Sequence, residues 1–571
     1  MKHLYISTNL YNYMYLRKKV DKGKIAYQIA ESYREGGKVK TRIIKHLGPI
    51  EKLLDMVAMK KISIKIKNTY NYEFGASFIL NEICNELNIE KHVDKYVKKQ
   101  AEITNIGKAI KFASIHKCIN QQGFNDIESW IDSTSLQFIE SIEPKILKKQ
   151  NFNTWLNNFD KKTVDNIQTA TTESVIEKYK PDLSRIIIDF TSVDTYQKPR
   201  EDRDQIANWG KSKKYKKFTF KINYALVCSN DGIPLHHSIY SGNINDPTYF
   251  KIFSKQVLKK YESFFKQKHN LIFVFDKGMN SEEGILGIAK DYKFVAGLKK
   301  SECKNISKDI SKYKCISKDE NGHEIRCLEF SKTKFKKKFR GIAVYHEKTA
   351  KLIEHQYKDK IKKVRKKLKI IKSKLNKPKW NDKEIVENRI NNLLEKFNVT
   401  DLFDIKITEK ESQLYIKKST LLKEKLEEHK KEWAVAFLFT NLKKTSFKKI
   451  VDIYFREKNT VEDCNKLLKN VDFCRIGPVR CYINEHIRAH FLRCTIALTI
   501  GRILARIVNK KIKQNWRTDK IITKLKNLHI VNLNIQPFNI KDLVLSNYPK
   551  HKQLYDVLNI NRKFKKVKKK F

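Results

Sequence analysis

Residues 185–190, RIIIDF, and residues 271–276, LIFVFD, decide the fold, because each drives a short apolar run straight into an aspartate. Runs of Ile, Val, Leu and Phe this short and this hydrophobic mark strands buried inside a sheet. An ionised carboxylate at the end of such a strand is costly unless it is paired or bound to a metal ion. One Asp at a strand end commonly caps the next turn, and Asp182, Asp194, Asp204 and Asp246 show how frequent loop acids are in this chain. Two strands that end alike, at Asp189 and Asp276, carry more weight than either alone.

Working outward, KFTFKINYALVC (217–228), IPLHHSIYSG (233–242) and FVAGLK (294–299) read as further strands. A helix is expected to open at Asn245-Asp246-Pro247, where Asp can cap and Pro suits the first turn, and another lies near 281–290. The order is strand, strand, strand, helix, strand, helix, strand, which is an α/β unit. Upstream, IAYQIAESYR, the turn EGGK and VKTRIIKHLG make residues 1–65 a small basic β-unit, and the spacing of Leu80, Ile83, Cys84 and Leu87 starts a helical region over 70–180. Downstream, Ile361, Val364, Leu368, Ile371 and Leu375 step by three and four. They predict a basic amphipathic helix ending near Pro378, with residues 385–397 as an antiparallel partner. AVAFLFTNL (434–442) returns to strand, residues 448–507 read as helical, and RKFKKVKKKF at the end reads as a solvated basic tail.

Charge narrows the partner. The 571 residues hold 119 Lys and Arg against 63 Asp and Glu, a net +56, and an excess of that size calls for a polyanion, most often nucleic acid. An AT-rich coding bias accounts for Lys over Arg, but not for the shortfall of acids. The ten cysteines form no Cys-x-x-Cys pair and read as reduced, mostly buried thiols. No Gly-x-x-x-x-Gly-Lys loop is present, which argues against ATP use. The apolar stretch 491–507 is interrupted by Arg493, Arg502 and Arg506, so no membrane span is expected, and a cytoplasmic, nucleoid-associated protein is.

Acids on a buried sheet in a polyanion-binding protein suggest phosphodiester chemistry. Such transfer needs hard cations to polarise the phosphate, and three carboxylates suffice to hold two ions about 4 Å apart. Glu462, in YFREKNTVEDCNKLLKN, is the third candidate. On a helix, Val461, Cys464, Leu468 and Val471 form the apolar stripe, while Lys458, Glu462, Asn465, Lys466 and Lys469 share the adjacent face. A surface helix with ion pairs is the plain reading of that pattern; a metal-binding carboxylate flanked by lysines that grip phosphates is the functional one. His486 and His490 lack a His-Glu-x-x-His pattern and read as structural or phosphate-facing.

At this point the chain resembles the insertion-sequence DDE transposases whose last acid lies in a Tyr-Arg-Glu-Lys signature. The matching pieces, in family order, are DFT (189–191), SGNINDP (241–247), FDKGMNS (275–281), FTNL (439–442), the Glu462 segment and VRCYINEHIRAHFL (479–492). The resemblance implies a ribonuclease-H-like mixed sheet flanked by helices, interrupted by a long insertion. It implies that Asp189, Asp276 and Glu462 are catalytic and hold two Mg²⁺ or Mn²⁺ ions, and that Lys469 is the signature lysine. Where the family has Tyr and Arg, this chain has Phe455 and Lys458, with Tyr454 and Arg456 next door. DNA contacts are expected from Lys458, Lys466, Lys469, Arg456, Tyr454, Arg480 and Arg488, and a flipped base could stack on Trp380 or Trp433. The expected units are 1–65, a DNA-binding helical region over 70–180, catalytic parts at 181–300 and 446–510 around an insertion at 301–445, and a basic region at 511–571. The expected activity is cleavage at the element's terminal inverted repeats and joining to target DNA by a homodimer. The competing readings are a nuclease without transfer and a decayed or regulatory DNA-binding protein.

Overall fold

The computed structural model describes residues 5–6, 13–21, 24–35, 38–52, 55, 65–97, 105–200, 205–212, 218–266, 271–306, 309–536, 540–546 and 548–571. The chain opens with a four-stranded antiparallel sheet in sequential order: β1 (Tyr5–Ile6), β2 (Tyr13–Asp21), β3 (Lys24–Glu35) and β4 (Lys38–Gly48). The glycines of the expected EGGK turn lie outside the described residues. β5 (Lys65–Glu73) pairs with a C-terminal strand at His529–Gln536. Helices follow from Gly75 to Tyr179, and among them Ile106–Ile119 is buried along nearly its whole length.

The central sheet then begins with β6 (Arg185–Asp194), β7 (Asn208–Lys211), β8 (Phe218–Ser229), β9 (Pro234–Ser241), β10 (Ile272–Phe275) and β11 (Lys293–Leu298). β9, β8 and β6 are antiparallel neighbours, and β10 and β11 continue parallel on the other side of β6. This order, with the first strand central, is the ribonuclease-H-like mixed sheet. Between β9 and β10 the helix Asp246–Lys260 is capped by Asn245, whose Oδ1 accepts from the Thr248 amide at 2.9 Å. Asp246, expected as a capping residue, instead accepts from the Tyr240 hydroxyl at 2.9 Å.

Residues 301–445 do not simply interrupt this sheet. β12 (Lys314–Lys318), β13 (Glu324–Lys334) and β14 (Lys337–His346) widen it, because β14 pairs with β17 (Val435–Thr440), which in turn pairs antiparallel with β11. Between β14 and β17 come the expected helical hairpin, Glu347–Lys372 and Lys383–Phe397, and then β15 (Phe403–Lys410) and β16 (Gln413–Leu421). Ile361, Val364, Leu368 and Ile371 pack with Val386, Ile390 and Leu394 in a core of their own.

Two long helices, Phe447–Lys469 and Asn484–Ile512, cover one face of the central sheet. The second shares a single core with the Ile106–Ile119 helix and with Ile187, Leu226 and Cys228 of the sheet. Beyond them β18 (His529–Gln536) and β19 (Ile540–Leu545) complete a three-stranded sheet with β5. The C-terminus is not a solvated tail. Ile560, Phe564 and Val567, spaced by four and three, are buried along the helix Ile560–Val567, and the lysines between them face outward.

Candidate active site

Strand register brings the first two acids together. β10 runs parallel to β6 with Ile272 opposite Arg185 and Phe275 opposite Ile188, so the next step along both strands sets Asp276 beside Asp189. Ile186, Ile188, Phe273 and Phe275 enter the core on the face covered by the Asp246–Lys260 helix. Because side chains alternate along a strand, Asp189 turns to the opposite face, where the Phe447–Lys469 helix lies.

That helix presents one polar face to the two strands. Tyr454, Glu462, Asn465 and Lys469 fall within about 80° of one another at roughly 100° per residue. Ser446 caps the helix by accepting from the Lys449 amide, and Val461, Cys464 and Leu468 bury its apolar stripe. Val471, assigned to that stripe by spacing, lies past the helix end and is 62% exposed. The buried Tyr454 hydroxyl donates to Asp276 Oδ1 at 3.0 Å. Asn465 Nδ2 donates to Asp189 Oδ2 at 2.7 Å, and the Lys469 ammonium donates to Thr191 Oγ1, two residues further along β6. Glu462 lies half-buried between these anchors.

The charges of all three acids act on one hydroxyl. The Tyr454 phenol is pushed well above its ordinary range, first by burial and then by Asp276, with Asp189 and Glu462 adding to the effect. Tyr240 is raised likewise by burial and by Asp246, with Asp189 contributing. Asp246 also sits against the loop after Asp276, since a Cβ at Gly278 would lie 3.6 Å from its Oδ2. Gly297 of β11 makes room for the key tyrosine: a Cβ there would stand 2.6 Å from the Tyr454 hydroxyl. Among the described residues no group of three His, Cys, Asp or Glu side chains is gathered tightly enough to hold a metal ion. The donor set is all carboxylate, the chemistry that suits hard divalent cations.

A model of the transposase DDE domain matches residues 180–500, more than half of the sequence. The chain belongs to the DDE transposase family. Residues 16–71 match the N-terminal domain of IS1634 family transposases, and no curated protein matches the sequence. Among solved structures, a piggyBac transposase synaptic complex with hairpin DNA aligns at a TM-score of 0.39 and 9% identity, over 81% of this chain and 82% of that one. The protein is thus an enzyme acting on insertion-element DNA by strand cleavage and transfer, of a family whose members use divalent metal ions.

The remaining expected contacts of this transposase are distributed unevenly. Arg456 and Arg480 are exposed, the latter 5.5 Å from the Tyr196 ring centre. Lys466 is exposed and pairs with Asp463 at 3.2 Å, and Arg488 is turned to Glu485 at 3.1 Å. The side chain of Lys458 lies outside the described residues. Tyr454, expected to meet DNA, is instead 5% exposed and committed to Asp276. Trp380 is stacked with Arg389 at 4.0 Å within the hairpin, whereas Trp433 is 55% exposed with Lys300 over its ring. His490 bonds with the Ile476 carbonyl at 2.8 Å and His486 with Asn157 at 2.8 Å. All ten cysteines are free thiols, and among the described residues no helix is long and apolar enough to cross a membrane.

Sequence reasoning overlooked three roles. Asn465 was placed among the surface cations, Tyr454 on the DNA and Asp246 at a helix cap. The i, i+3, i+7 relation of Glu462, Asn465 and Lys469 was the available signal for the first of them.

Proposed function

We propose that Asp189, Asp276 and Glu462 form the catalytic centre of this transposase and hold two Mg²⁺ or Mn²⁺ ions between them. The observation that carries the reading is that the helix bearing Glu462 bonds to both strand-end acids, through Tyr454 to Asp276 and through Asn465 to Asp189. Ions bound there would polarise the scissile phosphate and help activate the attacking oxygen. The protein's own share is positioning: Tyr454 fixes Asp276, Asn465 fixes Asp189, and Lys469 holds its charge at the edge of the site, where it meets the DNA backbone. The seven-residue step from Glu462 to Lys469 supports membership of the Tyr-Arg-Glu-Lys group. In that group's arrangement Tyr454, one position from the signature tyrosine, serves the carboxylate rather than the DNA.

The transposase binds the terminal inverted repeats of its element, its helical region over 70–180 contributes DNA contacts, and two copies act on two ends. Water cleaves each end to leave a 3′-hydroxyl, and that hydroxyl then attacks a phosphate of the target strand. Cleavage and joining of a labelled element-end duplex by wild type and by Asp189→Ala tests this. Loss of both products in the variant is expected, and unchanged cleavage would remove Asp189 from the centre.

A further inference from the structure

A cavity of about 760 Å³ lies between the loop Gln121–Asp126, the helix Lys149–Leu156 and the segment Arg475–Ile483. The last segment is strapped to the end of β6, since the Val479 amide donates to Asp194 O at 2.9 Å and Thr195 Oγ1 donates to Val479 O at 3.0 Å. Two cations stand in the wall of this cavity with almost no exposure, Arg493 at 1% and Lys117 at 3%. Arg493 lies with its guanidinium carbon 3.8 Å from the centre of the Phe124 ring, and its Nη2 donates to the Gln122 carbonyl at 3.3 Å. Its Nε and Nη1 are buried with no hydrogen-bond acceptor. Lys117 Nζ donates to the carbonyls of Gln121 at 2.9 Å and Gln122 at 3.4 Å. Neither cation pairs with a carboxylate among the described residues, and Lys149, Arg475 and Arg480 add exposed charge at the rim against one lining acid, Asp126.

Burying a guanidinium without a carboxylate partner beside a second cation is expensive, and an anion seated in the cavity offsets that cost. We propose that this cavity is a phosphate site that seats the terminal phosphate of a DNA strand. Two buried cations match the charge of a phosphate monoester, close to two negative charges at neutral pH, better than the single charge of a backbone diester. Arg493 holds its charge in the cavity wall against the Phe124 ring and the Gln122 carbonyl, and Lys149, Arg475 and Arg480 supply the exposed donors that phosphate oxygens accept. Tyr482, 51% exposed on the cavity wall, offers a ring on which the terminal base can stack. The inference rests on the chain being a DNA-cleaving enzyme, because hydrolysis that frees a 3′-hydroxyl leaves a 5′-phosphate on the other end.

The test is calorimetric titration of the full-length protein with inorganic phosphate, with a 5′-phosphorylated ten-nucleotide thymidine strand and with its 5′-hydroxyl twin. The phosphorylated strand is expected to bind about tenfold more tightly than the twin, a difference that vanishes in Arg493→Gln. Inorganic phosphate binding as tightly as the phosphorylated strand would support the phosphate site but assign it to the free ion. Should Arg493→Gln fail to fold, Lys149→Gln combined with Arg475→Gln at the exposed rim is expected to cut the advantage several-fold. Equal affinity for the two strands, together with no binding of inorganic phosphate to wild type, would overturn the proposal. Element-end cleavage measured in parallel reports on the catalytic reading by itself, so failure of one is not failure of the other.

Discussion

The hydroxyl of Tyr454 donates to Oδ1 of Asp276 at 3.0 Å, a contact between a long helix and a strand end 178 residues apart. Removing the hydroxyl in Tyr454→Phe leaves Asp276 without that orienting donor, and loss of such support weakens metal affinity roughly 10- to 100-fold. The Mn²⁺ concentration needed for half-maximal cleavage is therefore expected to rise by that factor. Gly297→Ala, which pushes a Cβ to 2.6 Å from the same hydroxyl, should raise it too. An unchanged metal requirement in both variants would show that the contact does not position the carboxylate.

Asn465→Asp places a second carboxylate against Asp189. Like charges at hydrogen-bond distance hold one of the pair protonated, so cleavage at neutral pH should fall roughly 10- to 100-fold and recover partly as pH rises. The pH–rate profile is the measurement, and a uniform loss at every pH would point to misfolding instead.

Lys469→Gln should weaken element-end binding and lower the slope of log affinity against log salt by about 0.9, the share of one phosphate contact. Fluorescence anisotropy across a salt series reads this. A wild-type slope in the variant would mean that Lys469 serves only Thr191.

Much of the site was legible in the sequence because buried parallel strands announce themselves. RIIIDF and LIFVFD could be read as strands ending in acids, and the alternating pleat then decides which way Asp189 points. The hairpin helix at Ile361–Ile371 was equally plain, since its stripe must bury against something. What stayed hidden depended on partners distant in sequence. β12–β14 carry charged residues on their open face and enter the main sheet only through β17, some ninety residues later. β5 pairs with β18 across most of the chain, and no local pattern specifies that. The C-terminal lysines masked the spacing of Ile560, Phe564 and Val567. Asn465 and Tyr454 looked like surface residues because their partners, Asp189 and Asp276, are brought to them by tertiary packing alone.

Acid should destabilise the fold through its buried imidazoles. Burial holds His116 and His237 down to about 3 from an ordinary 6.5, and it also holds His236 well below 6.5. Each stays neutral in the fold but takes up a proton when unfolded. The stability they contribute is thus fully present above pH 6.5 and is lost as pH falls toward 3, by about 1.4 kcal/mol per unit for each histidine. Glu73, raised to about 7 by burial, acts in the opposite sense between pH 7 and 4.5, and from pH 7.5 to 5.5 the three histidines outweigh it by about two to one. Urea midpoints at pH 7.5 and 5.5 should show lower stability at 5.5. A higher midpoint at 5.5 would contradict this account.

The most direct test of the three-acid centre is cleavage and joining of a labelled duplex bearing the element's own end, with Mg²⁺ or Mn²⁺ against EDTA, for wild type and Glu462→Gln. Metal-dependent joining by wild type, abolished in a variant that still binds the duplex, is the predicted result. Cleavage that persists in Glu462→Gln, or proceeds equally in EDTA, would contradict it.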